Sequence, residues 1–149
     1  MRLRWFGLAL SLFWSGSSNA AGTDNSTGSE IVPTVSARCQ RVAAPGRVLC
    51  EVETELPSGK LEWGDAVVVS TPEFAKPLRA RVGPNEASAR TPRRLRLPVA
   101  LVATATGDGM VVFGARGVAC SDAGHCEAFR IESRAELHVG PENPAGTGG

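Results

Sequence analysis

Two segments in which apolar and polar residues alternate constrain the fold more than any other feature of the sequence. From Val48 to Glu55 every second residue suits a buried face, and glutamates occupy most of the positions between them. Residues 94–101 repeat the pattern with arginines, a proline and an alanine between the apolar positions. Because successive side chains of a β-strand point to opposite faces of a sheet, this period of two predicts half-buried strands. The inward positions are Val48, Cys50, Val52, Thr54, Leu95, Leu97, Val99 and Leu101.

Further short strands, separated by turns, predict an all-β chain. Strands are expected at 31–35, 65–70, 110–113 and 129–139, and Pro33 marks the first as an edge strand. Turns are expected at 45–46 and 57–59, with a tight hairpin turn at 107–109 (Gly-Asp-Gly). Two prolines are expected to keep 71–77 out of regular structure. Since no segment shows convincing helical periodicity, the sequence predicts an antiparallel β-sandwich over residues 31–139.

The first twenty residues have the composition of an export signal. Arg2 and Arg4 precede an apolar run at 5–14, and Ser18 and Ala20 occupy the −3 and −1 positions of a cleavage site after Ala20. Ten helical residues rise only about 15 Å, half of a bilayer core, which favours a cleaved signal over the alternative, a short anchor helix. We therefore expect a periplasmic or secreted chain. Residues 21–30 and 140–149 are small and polar, and are expected to be a disordered leader and tail.

Four cysteines suit an exported chain, because thiols pair in oxidising compartments. Of the three possible pairings, the simplest joins sequence neighbours, Cys39 with Cys50 and Cys120 with Cys126. The first pair has the setting of a structural disulfide. The second closes a polar loop that contains Asp122 and His125, and a protonated His125 would favour a thiolate at Cys126, whereas the nearby carboxylates oppose it. The sequence leaves open whether this second disulfide is structural or reactive.

Composition and spacing argue against several other functions. The chain has 16 basic and 15 acidic side chains, so it lacks the basic excess of a nucleic-acid-binding protein. The basic stretch at 79–96 is expected to be a solvated loop plus the outer face of a strand, and a docking surface for an acidic partner is the alternative. Cys120, His125 and Cys126 form the only compact group of zinc-ligand types, but adjacent strand residues point to opposite faces, so neither a metal nor a cofactor is expected. His125 and His138 are the only histidines, and no Gly-x-Ser-x-Gly motif supplies a hydrolase nucleophile.

Three motifs in order resemble one known family. The Cys-x5-Cys segment at 120–126 carries Asp-Ala-Gly in its middle, Arg-Leu-Arg-Leu-Pro-Val stands upstream at 94–99, and Glu-Phe-Ala-Lys stands at 73–76. This arrangement resembles the N-terminal periplasmic domain of the DsbD thiol:disulfide interchange proteins over about residues 61–139. The resemblance implies an immunoglobulin-like β-sandwich that carries electrons.

The resemblance also implies roles for individual residues. Cys126 would form the mixed disulfide with a partner and Cys120 would resolve it, while Phe74 would be a cap that shields the sulfurs and Glu73 would help to move protons. The implied partners are periplasmic thioredoxin-like or disulfide isomerase proteins. A membrane thiol electron transporter would act in trans, because this chain carries no such helices.

Departures from the family motif keep two other functions open. Glu127-Ala128-Phe129 follows the second cysteine where the family has an aromatic residue and two prolines, and the chain has no tyrosine. These differences favour the alternative of a non-enzymatic, secreted immunoglobulin-like domain for binding or assembly, with two structural disulfides. A secreted inhibitor that presents the 120–126 loop to a protease is a third possibility.

Overall fold

The computed structural model describes residues 31–141; the predicted signal peptide and leader, and residues 142–149 of the predicted tail, lie outside the described residues. No helix within 31–141 has the length and apolarity needed to cross a membrane. Residues 31–141 form nine strands and one short 3-10 helix at Pro84–Glu86. The strands are β1 (Thr34–Cys39), β2 (Gly46–Glu55), β3 (Lys60–Ser70), β4 (Ala75–Pro77), β5 (Arg81–Val82), β6 (Ala89–Thr91), β7 (Arg94–Ala103), β8 (Gly107–Cys120) and β9 (Cys126–Val139).

The strands form two antiparallel sheets that pack as an immunoglobulin-like sandwich, which confirms the predicted fold class. The first sheet has the order β1-β2-β7-β4, with β6 also paired to β7. The second sheet has the order β5-β3-β8-β9. The edge strands β1 and β9 lie on the same side of the sandwich, where Val42, just after β1, forms an isolated bridge with Val139 at the end of β9.

The core lies between the sheets and is built from the inward positions of the alternating segments. All eight positions predicted to face inward in β2 and β7 are buried. Phe113 of β8 and Leu137 of β9 supply large buried side chains from the second sheet. Removing these apolar surfaces from water is the main force that holds the two sheets together.

The outward positions of β2 and β7 form a ladder of opposite charges. Arg96 binds Glu53, and Arg94 donates from Nη2 to Glu55 Oε1 at 2.9 Å. The hydrogen bond with Glu55 raises the pKa of Arg94 above its ordinary value. Arg94 and Arg96 thus lie on the outer face of a strand, as expected for part of the basic stretch, and they bind the glutamates of the neighbouring strand because the two alternations are in register.

The prediction of a hairpin turn at 107–109 is wrong. Gly107 and Gly109 lie within β8, and the chain crosses from β7 in the first sheet to β8 in the second through residues 104–106. A Cβ at Gly107 would lie 2.9 Å from the Phe74 ring, and one at Gly109 would lie 2.7 Å from Pro72. These glycines therefore give room to the segment that packs over them.

Other boundaries also differ from the expectations: β3, β8 and β9 are longer than the strands expected at 65–70, 110–113 and 129–139. Residues 71–77 contain the short strand β4, because Pro77 lies at the end of an edge strand, where its missing N–H is tolerated. The first strand begins at Thr34, after Pro33, and is an edge strand as predicted. Gly140, assigned to the tail, donates its N–H to Val42 O at 2.8 Å and so belongs to the ordered domain.

Candidate functional site

The two disulfides join the sequence neighbours, Cys39 with Cys50 and Cys120 with Cys126. In both, the two cysteines are direct register partners on adjacent antiparallel strands, with Cα atoms 3.9 Å apart. Such directly opposed positions already bring two side chains together. The pairing is thus a consequence of strand register.

The loop that Cys120 and Cys126 close is a tight turn with its own hydrogen bonds. Ser121 N donates to His125 O at 2.7 Å, and Gly124 N donates to Ser121 O at 2.9 Å. The Ser121 hydroxyl oxygen also accepts from His125 N at 3.1 Å. Gly124 has φ +86°, a left-handed conformation that glycine adopts without strain. The loop therefore holds its shape through backbone contacts as well as through the disulfide.

The two cysteines of this disulfide differ in their exposure to solvent. Cys120 is only 7% exposed, whereas Cys126 is exposed. The β2–β3 turn covers Cys120: a Cβ at Gly59 would lie 2.2 Å from the Cys120 carbonyl oxygen, and Gly59 has the left-handed φ of +74°. An attacking thiolate would therefore reach the sulfur of Cys126 before that of Cys120.

The charged residues of the loop point to solvent. Asp122 and His125 are exposed. His125 Nε2 lies 3.2 Å from Glu127 Oε1, so the imidazole is paired with an exposed carboxylate near the start of β9. Both side chains are more than half exposed, which makes this pair weak.

The predicted cap does not lie near the sulfurs. Phe74 packs against Gly107 at the start of β8, whereas Cys120 is the last residue of the same strand. β8 has 14 residues, and at about 3.3 Å per residue its two ends lie roughly 40 Å apart. Phe74 therefore lies at the opposite end of β8 from the disulfide that the resemblance assigns it to shield. Glu73 is exposed beside Phe74 and is equally remote from the sulfurs.

A buried ion cluster in the second sheet was missed by sequence reasoning. The Asp65 side chain is 0% exposed and binds Arg116 through both oxygens, with Nε–Oδ1 at 2.9 Å. Arg81 Nε lies 2.5 Å from Asp65 Oδ2, and its guanidinium stands 5.8 Å from the centre of the Trp63 ring. The hydrogen bond with Asp65 raises the pKa of Arg116. The cluster links β3, β5 and β8, and the only sequence signal was an acid beginning an otherwise apolar run.

Two further features complete the survey of residues 31–141. No three side chains of His, Cys, Asp or Glu in this range come together as a possible metal site. An open groove of about 320 Å³ lies beside the outer face of β7, with Arg47, Leu78, Arg79 and Pro98 among its lining residues. Arg79 in this groove is paired with Glu86. The groove contains no residue of either disulfide.

No known protein-family model matches the chain, and no curated protein matches it. Among solved structures, the chain is similar to the major pilin subunit BcpA of Bacillus cereus, with 11% identity and a TM-score of 0.40 over 74% of this chain and 40% of that one. It is also similar to PapD-like domain 7 of human CEP192, with 7% identity and a TM-score of 0.41 over 92% and 99% of the two chains. The bacterial hydrophobin BslA matches with 11% identity and a TM-score of 0.33 over 74% and 96%.

Proposed function

We propose that this chain is an exported immunoglobulin-like domain that works by non-covalent binding, and that both of its disulfides are structural. Two disulfides suit the oxidising compartment that an export signal would lead to. The separation of Glu73 and Phe74 from the sulfurs supports the binding role, because the residues implied to assist exchange are not assembled around Cys126.

The proposal rests on where the disulfides lie. β1 is the edge strand of the first sheet, and Cys39–Cys50 joins it to β2. β9 is the edge strand of the second sheet, and Cys120–Cys126 joins it to β8. The edge strands β1 and β9 lie on one side of the sandwich, which we call the β1–β9 side. Each disulfide therefore joins one edge strand of the β1–β9 side to its neighbour in the same sheet.

A strand that is held in place by a disulfide is suited to binding, because it is already ordered. Affinity rises when the binding surface is already ordered before the partner arrives. β9 is held at its start by the disulfide and at its end by Val42, which donates its N–H to His138 O at 3.3 Å. The β1–β9 side is therefore ordered before a partner arrives, which lowers the entropic cost of binding.

Native-state amide hydrogen exchange on the wild type and two cysteine-pair variants tests this role. In C120S/C126S we expect faster exchange in the first residues of β9, with β1 unchanged. In C39S/C50S we expect the reverse, so each variant is the matched control for the other. Unchanged protection of β9 in C120S/C126S would contradict a structural role for that disulfide.

Thiol–disulfide exchange is a second candidate, favoured by the unequal exposure of the two sulfurs. In this reaction a Cys126 thiolate attacks a partner's disulfide, forms a mixed disulfide and expels one partner thiolate. The Cys120 thiolate then attacks Cys126 Sγ, which re-forms the intramolecular disulfide and releases the second partner thiolate. Two electrons pass to the partner, and a membrane thiol transporter would have to restore them.

Single-cysteine variants distinguish the two candidates. Exchange predicts that C120S, which leaves Cys126 free, traps a mixed disulfide with an oxidised thioredoxin-type protein far faster than C126S does. The binding role predicts no such preference beyond the difference in exposure of the two thiols. Quenched alkylation and mass spectrometry of the trapped species give the two rates.

A further inference from the structure

The outer face of the first sheet carries an apolar row that runs across neighbouring strands. Ala100 of β7 lies opposite Leu49 of β2, and on its other side Leu78, just after β4, donates its N–H to Ala100 O at 2.9 Å. Leu49 is 37% exposed and Leu78 is 56% exposed. Because Ala100 has only a methyl group between two longer side chains, the row is recessed at its centre. The open groove of about 320 Å³, which we call the β7 groove, lies at this place.

The next row along β7 carries positive charge that the described chain does not neutralise. Val102 lies between its register partners Arg47 on β2 and Lys76 on β4, and both cations are exposed. Neither forms an ion pair within residues 31–141, although Arg47 lines the groove. In contrast, Arg94 and Arg96 on the same face of the sheet bind glutamates. The cationic row at Val102 is therefore available to an acidic partner.

We propose that the β7 groove binds an extended acidic segment of a partner protein through one apolar side chain and one carboxylate two residues away. The apolar side chain lies over Ala100, between the two leucines, and the carboxylate lies over Val102, between the two cations. These rows are two residues apart on β7, about 7 Å, which is also the distance between side chains i and i+2 of an extended peptide. Charge complementarity selects an acid, because arginine and lysine side chains only donate hydrogen bonds.

The shape and lining of the groove disfavour other classes of ligand. Small-molecule sites enclose most of the ligand surface, whereas this groove is open along its length. Among the described residues that line it, none is aromatic, so stacked nucleobases find no platform. A membrane surface binds apolar side chains that protrude into it, whereas the centre of this apolar row is recessed. A peptide in extended conformation fits the groove best.

This inference goes beyond the proposed function, because the groove lies on the outer face of the first sheet and not on the β1–β9 side. Neither disulfide contributes a residue to the groove. The tests below therefore leave all four cysteines unchanged. Redox activity of Cys120–Cys126 would contradict the proposed function without affecting peptide binding, and failure of peptide binding would leave the disulfide experiments unaffected.

A pair of peptides with the same composition tests the spacing. The probe is acetyl-Ser-Glu-Ser-Leu-Ser-Glu-Ser-amide, in which a carboxylate reaches the cationic row whichever way the peptide runs. The control, acetyl-Ser-Ser-Glu-Leu-Glu-Ser-Ser-amide, moves both carboxylates to the opposite face of the extended chain. The contact is small, so amide chemical shifts of the protein are followed up to about 10 mM peptide. We expect saturable shifts at Leu49, Leu78 and Ala100, with the control at least about fivefold weaker. No saturation, or equal binding of the two peptides, overturns the proposal.

Charge reversal tests the two cations. R47E/K76E should weaken binding of the probe about tenfold or more and should instead bind the analogue in which lysines replace both glutamates. R90E/R130E makes the same change in net charge at exposed positions outside the groove and should have little effect. L78A should weaken the probe about fivefold, whereas M110A, which removes a similarly exposed side chain from the second sheet, should not. Unchanged binding in R47E/K76E, or its failure to bind the lysine peptide, overturns the assignment of the cationic row.

A vesicle assay distinguishes a peptide from a membrane as the partner. Vesicles of phosphatidylcholine with about one third phosphatidylglycerol present anionic headgroups together with an apolar interior. The wild-type chain should stay in the supernatant when these vesicles are sedimented. Sedimentation with the vesicles that is lost in R47E/K76E but kept in R90E/R130E would assign the groove to a lipid surface and overturn the proposal.

Discussion

Neutralising Asp65 should destabilise the sandwich more than any other single charge change. Its carboxylate is fully buried and meets Arg116 through both oxygens and Arg81 through one. Removing one member of a buried ion pair costs about 3–5 kcal/mol when the remaining charge stays buried. Here the remaining arginines are 35% and 59% exposed and can be hydrated, so we expect Asp65→Asn to cost about 2–3 kcal/mol.

Urea unfolding measures this loss of unfolding free energy. The buffer contains neither oxidant nor reductant, so both disulfides stay intact. The midpoint should fall by about 1–2 M while the m-value is unchanged, because the surface exposed on unfolding stays the same. Glu62→Gln is the control, since Glu62 pairs with Lys60 on the surface and such pairs contribute little.

The relative stability losses of the two arginine variants in the Asp65 cluster give a second test. Arg116→Gln should destabilise more than Arg81→Gln, because Arg116 holds both carboxylate oxygens and its loss leaves Asp65 with only the more exposed arginine. An effect of Asp65→Asn no larger than that of Glu62→Gln would refute the reasoning, as would a larger loss for Arg81→Gln than for Arg116→Gln.

Two further predictions concern Phe74 and the disulfides. Phe74→Ala should lower the free energy of unfolding by about 1.5–2.5 kcal/mol, half the usual value for a core phenylalanine, because the ring is only partly buried. The variant should leave the reduction rate of Cys120–Cys126 unchanged, and faster reduction would support a shielding role for Phe74. With sequence separations of 11 and 6, the chain-entropy model predicts losses of about 3 kcal/mol for C39S/C50S and about 2 kcal/mol for C120S/C126S in thermal unfolding, and a reversed order would contradict it.

The strands and the core could be predicted where a local pattern determines them. The alternation in β2 and β7 predicted which side chains are buried, because a period of two places every second residue on the same face. The neighbour pairing of the cysteines was likewise accessible from spacing. The first strand was predicted as an edge because Pro33 lacks an N–H for a ladder.

The errors arose where one residue type serves two physical purposes. Glycine is common in hairpin turns because of its backbone freedom, but Gly107 and Gly109 are needed for their lack of a side chain beneath Pro72 and Phe74. The placement of Phe74 depends on β7 and β8 lying in different sheets, which no local pattern reveals. The Asp65 cluster joins residues from three strands and was hidden for the same reason.

The central claim is that this is a binding domain with two structural disulfides. An equilibrium redox titration tests it most directly, with each cysteine pair followed separately by alkylation and mass spectrometry. We expect both pairs to remain oxidised until the potential falls below about −300 mV, the range of structural disulfides. Half-reduction of Cys120–Cys126 well above that potential, while Cys39–Cys50 remains oxidised, would contradict the binding role and establish a redox-active pair.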